Sequence, residues 1–172
     1  MNDDLAPLGY RTATLHHHFD PRLSGPAMDD HARSRVLFHG KRGYMKAWAY
    51  AARMSCRLLG ADFVMSNDPL PPPADVMVAV RGGRHGNWLS RRWKSNVKAA
   101  TAQRLGLPFV AWPEDAYRET YPGAHWFTSP LQLHRAIARA LAAPKPKPQT
   151  RLYSAEWAAN RLETVLATVQ GR

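Results

Sequence analysis

Apolar runs alternate with turn-forming stretches along the chain, and the runs come in two sizes. Short runs of five or six residues predict strands. These are "RVLFHG" (Arg35–Gly40), "DFVMS" (Asp62–Ser66), "DVMVAV" (Asp75–Val80), "PFVAW" (Pro108–Trp112) and "HWFTS" (His125–Ser129). The third is the clearest, being almost wholly apolar, as in a sheet covered on both faces. Longer stretches carry a helical period. In Tyr44–Gly60, the residues Met45, Trp48, Ala52, Cys56 and Leu59 recur at three- and four-residue spacing, and Gly60 is a natural stop. A helix is expected over Ser95–Leu105, ended by Gly106, and a short one after Pro113, with Glu114 and Asp115 in its first turn. Ser129 and Pro130 open a helix running to Ala142. Ser154 caps a last helix striped with Trp157, Leu162, Val165, Leu166 and Val169. Between elements, "NDPLPPPA" reads as a stiff turn and "APKPKPQ" as an extended linker.

Strands alternating with helices predict an α/β fold. The expected architecture is a single Rossmann-like domain with a mainly parallel sheet, plus a C-terminal helix after a Pro/Lys linker. The divisions are an N-terminal arm over 1–32, the α/β domain over 33–142, the linker over 143–150 and the helix over 151–172. The last helix either folds back on the body or docks on another copy, forming a homo-oligomer.

Charge narrows the partners. Among 172 residues, 24 Lys and Arg face 13 Asp and Glu, a formal net charge of +11. This favours an anionic ligand, a nucleotide-sugar or nucleic acid. The charge is concentrated: Arg81 to Arg104 holds seven basic residues and no acidic one. Cys56 is the sole cysteine, so no internal disulfide forms. The opening "MNDDLAPLGY" has no basic-then-apolar leader, and no run approaches the roughly 20 apolar residues of a bilayer span. A cytoplasmic location without a membrane partner is expected.

The sharpest candidate site is "RGGRHGNW", at the carboxyl end of the Asp75–Val80 strand, where α/β sheets gather ligands. Gly82 and Gly83 allow a tight loop whose N–H groups cradle an oxyanion, and Arg81 and Arg84 add bidentate contacts. The spacing matches neither a P-loop nor the dinucleotide fingerprint. On the following helix, Lys94 and Lys98 share a face, and Asn96 sits where it caps the helix or touches a ligand. Cations at a helix start oppose its dipole, which a bound anion would relieve; solvation is the plainer explanation. His85 is a candidate general acid or base, although no carboxylate neighbours it in sequence. Trp88 and Trp93 flank Arg91 and Arg92, a pattern that stacks bases and holds a phosphate backbone, or else anchors a core. The run His16–His18 lacks metal-ligand spacing, and no metal is expected.

"WKSNVKAATAQRLGLPFVAWPEDAYRE" (Trp93–Glu119), followed by "HWFTSPLQLHRAI" (His125–Ile137), resembles the C-terminal nucleotide-sugar-binding domain of two-domain glycosyltransferases. The resemblance implies a nucleotide-sugar donor, with Arg81 or Arg84 and Lys94 or Lys98 on its phosphates and Glu119 on the ribose. Glu119 and His85 then become the catalytic candidates of a glycosyltransferase-like transferase. The chain holds one such domain where the family has two. Its high charge adds nucleic acid as a candidate acceptor. A non-catalytic nucleic-acid-binding protein using the same basic face, and an assembly subunit joined through the C-terminal helix, are the alternatives.

Overall fold

The computed structural model describes residues 18–23, 32–87, 95–151 and 153–170, and within them all side chains except those of residues 84, 85, 169 and 170. Five strands form one sheet: β1 (Arg35–His39), β2 (Asp62–Ser66), β3 (Val76–Ala79), β4 (Phe109–Ala111) and β5 (His125–Trp126). Every pairing is parallel, in the order β2-β1-β3-β4-β5. The helices are α1 (Trp48–Leu58), α2 (Val97–Leu105), α3 (Asp115–Thr120), α4 (Pro130–Ala142) and α5 (Ala155–Gln170). The α/β fold with a parallel sheet is therefore the one expected from the sequence. Strand β2 matches its apolar run, and the other four are shorter than the runs that mark them, since the flanking residues turn away from the ladder.

Alternation along β3 divides the core. Val76 and Val78 face one layer, where α1 and α4 pack on each other and on Val36, Phe38 and Val110. Met77 and Ala79 face the other, where Ala99, Ala100 and Ala102 of α2 and Tyr117 of α3 lie against Leu37 and Phe109. The small residues of α2 are all buried and let its backbone come close to the sheet. Trp48, Trp112 and Phe127 interlock edge to face at the carboxyl end of the first layer, with centroids 5.2 to 6.0 Å apart.

The connection from β2 to β3 has no helix. The nine residues 67–75 run back along β1 instead. Asp68 O meets the His39 ring at 2.8 Å, and at the other end Arg35 Nη1 donates to Pro73 O at 3.2 Å. Nine extended residues reach roughly 30 Å, ample to recross a five-residue strand. "NDPLPPPA" is thus an extended crossover rather than a turn. The space a crossover helix would fill is taken by Phe19 and Leu23 on one side and Tyr153 on the other, all buried. Phe19 N donates to Tyr153 O at 2.9 Å, and Arg104 Nε donates to Leu23 O at 3.0 Å.

The linker lies on the body. Gln149 N donates to Gln103 O at 2.9 Å, and Lys145 pairs with Asp75 at 2.8 Å. The start of the last helix folds back: Tyr153 and Trp157 pack edge to face, centroids 5.0 Å apart, against the second layer. Farther along, Leu162 and Leu166 are exposed. No described helix is long and apolar enough to cross a membrane.

Candidate functional site

A sheet of order 2-1-3-4-5 reverses direction of winding between β1 and β3, and ligands of such sheets bind outside the carboxyl ends of those strands. Three chain segments meet there. Gly40 follows β1, Arg81 and Gly82 follow β3, and the first turn of α2 brings in Lys98.

Lys98 is the least conventional residue of the site. Its Nζ lies 4.0 Å from the centre of the Phe38 ring, a cation–π contact. The ammonium is buried and has no hydrogen-bond partner among the described residues. Burial, followed by repulsion from Arg81, lowers its pKa from 10.5 to about 7. Gly40 makes the room beside it. The glycine adopts φ +139°, and a Cβ there would stand 3.2 Å from Nζ. A side chain at position 40 is thus strained by the backbone conformation, and its Cβ would make the lysine end give way by a few tenths of an ångström.

Arg81 has a different neighbourhood. It pairs with Glu114, which is 2 % exposed, and lies 5.7 Å from the centre of the Tyr117 ring. The pair joins the ends of β3 and β4 beneath α3, and burial raises the Tyr117 pKa. Arg81 therefore carries an internal counter-charge, whereas Lys98 has none. Gly82 is fixed by packing: its N–H donates to Tyr44 O at 2.6 Å, and a Cβ would come within 2.9 Å of Met45 O. The loop after β3 is held tightly against the entry to α1.

The remaining candidates are distributed more widely. Gly83, at φ +58°, opens a 3-10 turn over Gly83–Gly86 that includes Arg84 and His85, whose side chains lie outside those described. Trp88, Arg91, Arg92, Trp93 and Lys94 also lie outside the described residues. Asn96 occupies the N-cap of α2, buried, and its side chain makes no capping bond. Glu119 is exposed on α3, while Glu114, five residues earlier, is the buried carboxylate. Cys56 is buried in the α1 layer, where desolvation raises its thiol pKa to about 12. Among the described residues no group of three or more His, Cys, Asp or Glu side chains is placed to hold a metal.

Sequence reasoning did not single out Gly40, Phe38 or the role of Glu114 as partner to Arg81. The signal for Gly40 was present as a glycine closing an apolar strand. Its pairing with Lys98 depends on strand order, which no local pattern encodes. No protein-family model matches the chain, and searches of curated proteins and of solved structures give no match either.

Proposed function

We propose that this domain binds a phosphate-bearing, nucleotide-like ligand at the carboxyl ends of β1 and β3 and serves a transferase reaction of the glycosyltransferase type. The observation that carries the reading is Lys98: an ammonium buried without a partner, beside a glycine, at the switch point of a parallel sheet. A bare buried cation is costly, and an anionic oxygen beside it restores the missing charge and hydrogen bonds. The cation sits in the first turn of α2, where the helix N–H groups also favour an anion. In a transfer from a nucleoside diphosphate, Lys98 neutralises the charge that grows on the departing phosphate oxygen. The resemblance to nucleotide-sugar-binding domains supports the donor class, with Glu119 toward the ribose and His85 as a proton carrier.

Native mass spectrometry of the protein with mixed nucleoside diphosphates and nucleotide-sugars tests this. One selective adduct is expected for the wild type and none for Lys98→Met. An adduct that survives the substitution, or no adduct with the wild type, overturns the reading.

A further inference from the structure

A second concave surface lies along the open edge of the sheet, away from the β1/β3 switch point. A cavity of about 480 Å³ runs beside β5. Arg118 of α3 borders it from one helical layer, and Arg135 and Arg139 of α4 border it from the other. Trp126 and Thr128 lie between them, and no Asp or Glu lines the cavity.

The three arginines are exposed, and among the described residues none forms an ion pair. Arg135 and Arg139 are one turn apart, roughly 6 Å along the helix axis. Arg118 stacks over the Trp126 ring at 5.3 Å. His125, also in the lining, adds no negative charge; burial and then Arg139 lower its pKa, leaving the ring neutral at physiological pH. The cleft therefore offers three cations around an apolar floor of Phe127 and Ala136, with one aromatic face covered only by the Arg118 guanidinium.

We propose that this cleft is a binding groove for a single strand of nucleic acid, with Arg135 and Arg139 on successive phosphates and Trp126 as the stacking face for a base. Arg135 and Arg139 follow one another along α4, one turn apart on the same cavity wall, so two phosphates of one strand can be held in succession. The Arg118 guanidinium covers this Trp126 face, and a base takes the same stacking contact by displacing it toward the phosphates. An acidic peptide added as a further strand would find only the two residues of β5 to pair with. This reading stands independently of Lys98.

Fluorescence anisotropy with a labelled oligothymidylate of about 20 nucleotides tests it. Arg135→Ala/Arg139→Ala is expected to weaken binding about tenfold at low salt and to lower the salt slope by about 1.4, the share of two phosphate contacts. Arg53→Ala/Arg57→Ala removes the same charge from exposed positions on α1 and is expected to change affinity by about twofold or less. Trp126→Leu should weaken oligothymidylate binding about fivefold or more and leave binding of inorganic polyphosphate, which has no bases, unchanged. Lys98→Met should leave oligothymidylate binding intact, which separates this groove from the diphosphate site. Equal losses for the two arginine pairs would mean attraction by net charge alone and overturn the proposal. So would displacement by polyglutamate as effective as by unlabelled oligothymidylate, or no binding by the wild type.

Discussion

At the scale of the residue, Lys98 and the Arg81–Glu114 pair illustrate two ways of handling a buried cation. Lys98 releases its proton near pH 7 in the folded chain, whereas the unfolded chain holds that proton to about its ordinary value of 10.5. Between those values the unfolded state binds more protons, so this residue makes stability rise with pH across that window. Below pH 7 its full penalty is present. Lys98→Met is therefore expected to raise the thermal midpoint most at pH 6 to 7, with the gain fading toward pH 10 (scanning calorimetry across this range checks both sign and window). Ligand binding should reverse the depression. An anion beside Nζ raises the pKa, so binding takes up a proton at pH 8 and little at pH 5.5, measurable by titration calorimetry in buffers of different ionisation enthalpy. Arg81 depends instead on Glu114. Glu114→Gln leaves the guanidinium buried without its counter-charge and is expected to cost about 3–5 kcal/mol in urea unfolding. The double replacement Arg81→Met/Glu114→Leu should recover much of that loss, because it removes the orphaned charge as well.

Individual elements were legible in the sequence to different degrees, for physical reasons. Helix α4 was readable to the residue, because its start is written chemically. Ser129 accepts from Gln132 N at 3.3 Å, and Pro130 takes the first helical position. Ser129→Ala should lower stability by about 1 kcal/mol in urea titration. Helix α1 starts four residues later than its periodic pattern, because Arg42–Tyr44 forms a 3-10 turn and Lys46 takes φ +49° before the regular helix begins. Those residues keep the apolar spacing without the helical backbone: Met45 is fully buried from outside the helix. The run 67–75 misled for a different reason. Proline forbids helix and sheet interior alike, and nothing local distinguishes a turn from an extended crossover. The candidate site was half visible on the same grounds. The glycine loop and Lys98 could be placed from their position after a strand, but Gly40 and Glu114 enter through the order of strands, which is a property of the whole sheet.

For the whole molecule, the absence of a helix between β2 and β3 governs how the chain termini behave. The sheet face left open there is closed by two distant segments, residues 18–23 and the entry to α5, which are joined to each other by the Phe19–Tyr153 bond. The C-terminal segment is thus part of the core at its start, and only its later turns, with Leu162 and Leu166 exposed, are free to meet another copy. The two roles predict different responses to shortening. Ending the chain at Ala143 uncovers Phe19 and Leu23 together with the α2 face near Leu105, and it removes the bond from Gln149 to Gln103. The expected outcome is a lower thermal midpoint and increased binding of a hydrophobic dye. Tyr153→Ala in the full chain should reproduce part of it, about 2–4 kcal/mol for a large buried side chain. Leu162→Glu/Leu166→Glu should leave the midpoint unchanged, since those side chains touch little of the body, and any change in mass by light scattering would then belong to α5 as an association surface. A shortened chain as stable as the original would mean that the open face is closed without its C-terminal segment, and the tail would be left with assembly as its role.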